Sequence, residues 1–216
     1  MLRKELKRLI IDMVKPNCML HGYRMHKSKP VFYKINDGII SFIFFETKSN
    51  GYECGTYIMP LYIPHETFVL DYGDRVGRQA GTNFSSFFLK MDMPEEEAVK
   101  NINNHIAFFE AKTYRWHNSV NTPEKIIKMI NKPTIKSGFF TRQIWRDVAV
   151  VFSYFYIDEI DKGVSYLAKM KKTMELEGDI LPQTIEGTIQ QIVSTPENAE
   201  KILHEIVEQT ISNLGV

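Results

Sequence analysis

Between the turn Asn36-Asp37-Gly38 and the turn Lys48-Ser49-Asn50-Gly51 runs a stretch that is apolar on both of its alternating faces. Ile39, Ile43 and Phe45 fall on one side of Ile39 to Thr47, and Ile40, Phe42 and Phe44 on the other. A strand with one face in water alternates apolar with polar residues, so this one predicts a central strand covered on both sides. Asp-Gly tolerates the positive φ of a tight hairpin and ties this strand to Val31 to Ile35. Tyr52 to Ile63 reads as a third strand, with Gly55 and Pro60 marking a bulge or bend. Phe68 to Tyr72 and Phe84 to Leu89 complete an antiparallel meander of about five strands.

Helical spacing flanks this region. Leu2, Leu6, Leu9, Ile10 and Met13 predict an amphipathic first helix that ends before Pro16, because proline disfavours helical geometry at its predecessor. After the strands, Asp92-Met93-Pro94-Glu95 has the spacing of a capping box, followed by the stripe Ala98, Ile102, Ile106 and Phe109. Thr122-Pro123-Glu124 opens a shorter helix, and Arg142 to Ile157 is apolar on several sides, as a central buried helix would be. Val164, Leu167, Ala168, Lys171 and Met174 give another amphipathic helix, and Leu181-Pro182 breaks the pattern. Ser194-Thr195-Pro196-Glu197 starts the last helix, whose stripe from Ala199 to Leu214 faces either the core or a partner. The expected fold class is α+β: an N-terminal helix, the antiparallel meander, then a helical C-terminal half. Residues 1–175 are expected to form the α+β core domain and 176–216 a helical extension packed on that core or on a partner.

The charge balance limits the function classes. Lys and Arg number 27 against 26 Asp and Glu, a net charge of +1. Broad capture of nucleic acid leaves a basic excess, so nucleic acid is not the expected partner. Local basic-aromatic patches remain at Tyr23, Arg24, His26, Lys27 and Lys29 and at Arg115 and Trp116. Two distant cysteines, Cys18 and Cys54, suit buried thiols in a reducing compartment. No apolar run approaches the ~18 residues of a membrane helix, and no leader pattern is seen, so a cytoplasmic protein without a membrane partner is expected.

Polar chemistry is concentrated in Asp71-Tyr72-Gly73-Asp74-Arg75-Val76-Gly77-Arg78-Gln79, read as a loop joining two strands. Asp71 and Asp74, with His65 and Glu66, are oxygen- and nitrogen-bearing groups that could hold a hard cation. Arg75 and Arg78 would clamp an anion if they point outward, or neutralise the carboxylates if they fold back. Asp71, Asp74, Arg75, Arg78, His65 and Glu66 are therefore the candidate ligand- or partner-binding set. No metal site is assigned, because Cys18-x-x-His21 is a single pair where zinc needs two. No cofactor is expected either: Gly73, Gly77 and Gly81 lack both the Walker lysine and the dinucleotide spacing. Without a G-x-S-x-G elbow or a thiol-protease signature, no catalytic residue is named.

The leading amphipathic helix, Val31-Phe32-Tyr33 after its turn, Ile39 to Phe45, Tyr57-Ile58-Met59-Pro60-Leu61-Tyr62 and Asp74-Arg75-Val76-Gly77-Arg78 together resemble domain-of-unknown-function family 4304. The resemblance spans roughly residues 1–175 and implies an α+β fold in a bacterial or phage setting, with no catalytic residues. The functional expectation is a non-enzymatic interaction or accessory protein of an immunity- or defence-like kind. Its partner would be another protein, or a second copy met through the C-terminal helix. The alternative is a metal-dependent enzyme acting on a phosphorylated substrate or nucleic acid through the carboxylates above.

Overall fold

The computed structural model describes residues 2–27, 29–70, 72–81, 87–130, 143–178 and 180–216. The chain forms an N-terminal helix, an antiparallel sheet and a helical C-terminal half, an α+β fold. It divides into two compact units. The first holds Met1–Ile35, Ser41–Ile58 and Gly73–Ser119, and the second Asn36–Ile40, Met59–Tyr72 and Val120–Val216.

In the first unit, α1 (Arg3–Leu20) buries Leu6, Ile10, Val14 and Cys18, an unbroken i, i+4 stripe. The helix runs through Pro16 rather than ending before it. Proline removes one N–H and crowds the carbonyl four residues back. Here Pro16 and Asp12, the residue whose carbonyl is left unpaired, are both exposed, so water can take up the lost bond while the stripe keeps its hold. Arg3 fixes the start of α1 by donating to the Lys48 and Ser49 carbonyls at 3.1 and 2.8 Å. Its end is a Schellman motif: Tyr23 N–H donates to Cys18 O and Gly22 N–H to Met19 O, both at 3.0 Å, with Gly22 at φ +79°. That closure turns Tyr23 back into the core beside Cys18.

Strands β1 (Arg24–Met25), β2 (Val31–Asn36), β3 (Ile39–Lys48), β4 (Gly51–Pro60) and β5 (Gly73–Arg75) lie in sequence order across the sheet. The outer edge of β4 is shared: Gly55 to Tyr57 pair with β5, and Gly51 to Glu53 pair with β6 (Phe88–Lys90). Every residue of β4 is buried, and β3 is buried on both faces through Ile43, as its sequence demands. Phe68 to Leu70 carry no strand; pairing begins at Gly73, where the backbone comes close enough to β4. A Cβ on Gly73 would stand 2.2 Å from the Thr56 carbonyl oxygen, so only glycine fits. Gly55 is no bulge either. Its missing side chain leaves room for the Tyr57 ring, whose hydroxyl would be 2.2 Å from a Cβ there. Of the strand expected over Phe84 to Leu89, residues 82–86 lie outside the described ones and β6 covers the end.

After β5, Val76–Ala80 turn into a short helix, α2, where the sequence suggested loop. α3 (Glu95–Phe108) starts without a side-chain cap; Pro94 holds the N-cap position, so Asp92 lies too far back for the expected capping box. α3 packs on α1 and presents Ala98, Ile102 and His105 to the core. It passes through a π-helical turn, Phe109–Thr113, into α4 (Tyr114–Ser119). There Tyr114 N–H donates to Phe109 O, an i→i+5 bond that inserts one extra residue. The insertion rotates Tyr114 and His117 onto the buried face that Phe109 and His105 already occupy.

The second unit holds the hairpin tip, where Asp37 (φ 45°) and Gly38 (φ 69°) form a primed two-residue turn. It also holds α5 (Pro123–Ile130), α6 (Gln143–Tyr156), α7 (Ile160–Glu177), α8 (Gln183–Ser194) and α9 (Ala199–Leu214). α6 is the central helix expected, with Val148 to Phe152 fully buried, and it packs on α5, α7 and α9. Tyr62 hydrogen-bonds Ser153 at 2.7 Å, and the Tyr72 hydroxyl donates to the Trp145 carbonyl at 3.0 Å. α8 follows the Leu181-Pro182 break, where no helix is predicted, and Ile185, Ile189 and Ile192 form its buried stripe. The stripe of α9, Ala199, Ile202, Leu203, Thr210 and Leu214, is buried within this unit, where α9 contacts α6 and α8. Residue 175 falls inside α7. Among the described residues no helix is long and apolar enough to cross a membrane.

Candidate functional site

The polar segment around Asp74 does not form one site. Asp74 and Arg75 are successive residues of β5, so their side chains leave the sheet on opposite faces. On one side, Asp74 Oδ1 accepts the Arg75 backbone N–H at 2.7 Å and lies 3.6 Å from the Arg78 guanidinium, one turn on. Gln79 completes this side by donating to the Asp74 carbonyl and to the Thr56 hydroxyl at 2.7 and 2.9 Å. On the other side, Arg75 donates to Glu53 Oε2 at 3.0 Å, and Lys48 stands 3.7 Å from the same oxygen and beside Glu46. The Glu53 side chain is only 6% exposed, and its charge is compensated by Arg75 at hydrogen-bond distance and by the more distant Lys48. Arg78 folds back as one branch of the sequence reading required; Arg75 finds a carboxylate on a strand that sequence proximity did not suggest.

The other candidates fall in the second unit or outside the described residues. His65 and Glu66 belong to the second unit, whereas Asp74, Arg75 and Arg78 belong to the first. Burial pushes the His65 imidazole down to about 4, which keeps it neutral, and Glu66 is exposed. Asp71 lies outside the described residues. Among the described residues no group of three or more His, Cys, Asp or Glu side chains is gathered so as to hold a metal ion.

A denser polar cluster, of residues far apart in the sequence, lies where the end of α1 meets the π-helical turn. Tyr23 and His117 Nδ1 are 2.6 Å apart in a buried hydrogen bond. Tyr114 donates to Asn17 Oδ1 at 2.6 Å and toward Cys18 Sγ at 3.6 Å, and its ring stacks on His21 at 3.8 Å between centroids. Glu110 accepts from Asn17 at 2.6 Å and pairs with His21 at 3.0 Å; those bonds hold its carboxyl below the usual range. Burial governs the rest. It pushes the Cys18 thiol up to about 12 and the Tyr23 and Tyr114 phenols above their ordinary values. It pushes His117 down to about 3, helped by the Lys34 charge, and His105 down to about 4. A thiol held protonated is a poor nucleophile and an imidazole at that value a poor base near neutral pH, so the cluster reads as a polar brace of the core. The signal that could have found it is the Cys18 to Tyr23 spacing, which places two buried groups across a helix C-cap.

A surface rich in exposed charge lies elsewhere, where Arg8 pairs with Asp12 at 3.4 Å and Glu5 accepts the Leu2 backbone N–H at 2.7 Å. Along the N-terminal half of α1 a groove of about 680 Å³ opens against the turn into α3. Leu9 and Met93, with the exposed Pro94 beside them, are its apolar lining, and its charged lining is four carboxylates, Glu5, Asp12, Asp92 and Glu95, against the single guanidinium of Arg8. Met93 is buried, Leu9 half-buried and the charged residues exposed. No family model, no curated protein and no solved structure matches this chain.

Proposed function

We propose that this protein acts by binding, and that the groove between α1 and the start of α3 receives a basic, partly apolar segment of a partner protein. The observation that carries the proposal is the pairing of an apolar lining with a charged lining of net negative sign in one open groove. Apolar lining residues supply affinity, while an excess charge of one sign steers and selects a partner of the other. The buried thiols and histidines support the same reading, since burial holds them in their uncharged forms. The bacterial or mobile-element setting, with an accessory role in immunity or defence, completes the proposal and rests on the family resemblance alone.

A synthetic amphipathic peptide of alternating Lys and Leu, titrated into the full chain, tests this. Saturable binding that weakens about tenfold between 50 and 300 mM salt is expected, because exposed charges are screened over ~8 Å at physiological salt. A peptide of the same pattern with Glu for Lys should not bind. Equal affinity for both peptides, or none for either, would remove the proposal.

A further inference from the structure

α1 carries charge of opposite sign on two separate flanks. At about 3.6 residues per turn, Lys4, Lys7, Ile11 and Lys15 fall on one stripe, and Glu5, Leu9 and Asp12 on another roughly a third of a turn away. Both lie outside the buried stripe of Leu6, Ile10, Val14 and Cys18. The second stripe is the α1 wall of the acidic groove. On the first, Lys4 and Lys15 are exposed, and Lys7 and Ile11 are half-buried. Among the described residues Lys4, Lys7 and Lys15 form no ion pair, and across the groove Asp92 and Glu95 pair with no cation.

The two flanks match in spacing as well as in sign. At a rise of about 1.5 Å per residue, Lys7 and Lys15 stand about 6 Å to either side of Ile11 along the helix axis. On the same measure Glu5 and Asp12 stand about 6 and about 4.5 Å to either side of Leu9. Setting Ile11 of one helix against Leu9 of another therefore brings each lysine alongside a carboxylate, and the long lysine stems cover apolar lining while their ammonium groups stay at its edge. Asp92 and Glu95 add two further carboxylates from the other wall. Every copy of the chain thus offers one groove and one flank, the make-up of a heterologous contact.

We infer that the basic segment received by the acidic groove is the Lys7, Ile11 and Lys15 flank of α1 on a second copy of this chain, an inference that rests on the groove being a docking surface. Sedimentation velocity on the full chain tests it. A mass above the monomer that rises with concentration is expected at about 50 mM salt, with self-affinity about tenfold weaker at about 300 mM as exposed charges are screened. Lys7→Glu/Lys15→Glu and Glu5→Lys/Asp12→Lys should each sediment as monomers, because each sets like charges against one another. Mixed in equal amounts the two variants should pair again, since the mixture keeps one intact groove and one intact flank; a misfolded variant could not do so. The Lys/Leu peptide should return the unaltered chain to monomer. A chain that binds the peptide yet stays monomeric up to about 200 µM would overturn this inference and leave the groove reading standing. One that neither binds the peptide nor self-associates would remove both. Self-association that the two variants leave unchanged, or a mixture of them that fails to pair, would also overturn it.

Discussion

The two ends of α1 handle polar side chains in opposite ways. At its C-terminal end, Cys18, Tyr23, Tyr114 and His117 are drawn into the core, bonded to one another and held uncharged by burial. In its N-terminal half, Glu5, Arg8 and Asp12 stand in water beside Asp92 and Glu95 around an apolar lining. At the C-terminal end of α1 the thiol, phenols and imidazole are thus held uncharged, while in the N-terminal half the charged groups face outward. Under the proposed function, the exposed charges select the partner by their sign.

Acid should break the buried end first. His105 and His117 titrate at about 4 and about 3 in the folded chain, against 6.5 when free. Their folded values are depressed, so the unfolded chain binds protons that the folded one refuses, and stability falls as pH drops below 6.5. The loss approaches about 1.4 kcal/mol per pH unit for each histidine and reaches about 3 kcal/mol from each by pH 4. Urea midpoints measured from pH 7 to 4 check this, and His117→Gln should flatten part of the slope.

The two arginines after β5 sharpen the contrast between buried and exposed charge. Arg75→Ala would leave the buried Glu53 carboxylate with only the more distant Lys48 and should cost about 3 kcal/mol, the lower end for breaking a buried pair because Lys48 remains and Arg75 is itself partly exposed. Tyr23→Phe, which leaves a buried imidazole nitrogen without its partner, should cost about 1–2 kcal/mol. Arg78→Ala removes a pair whose guanidinium is mostly in water and should change stability by less than about 1 kcal/mol. Chemical denaturation of the three variants ranks them; an Arg78 effect equal to that of Arg75 would contradict the assignment of their partners.

Much of the fold was legible in the sequence because its signals are local. The Asp37-Gly38 turn has the φ values its residues favour, and the two-faced apolar run of β3 could only be central. What was missed depends on distant parts. β5 is Gly-Asp-Arg, with no apolar alternation, and is a strand because Gly73 lets it approach Thr56. α1 continues through Pro16 because its buried stripe continues to Cys18. Of the candidate site, the Asp74–Arg78 pair was legible as an i, i+4 spacing, whereas the Glu53–Arg75 pair joins neighbouring strands. His117 reaches the buried face because the π-helical turn before it shifts the helical phase by one residue, which periodicity cannot reveal.

The central claim is that exposed charge, not the buried polar cluster, does the binding. It is tested most directly by titrating the Lys/Leu peptide into three proteins side by side: the unaltered chain, Glu5→Lys/Asp12→Lys, and Tyr23→Phe. The expected result is a loss of about tenfold or more for the groove variant, with Tyr23→Phe binding as the unaltered chain does. A groove variant that binds normally while Tyr23→Phe fails would place the activity in the buried cluster and contradict the account.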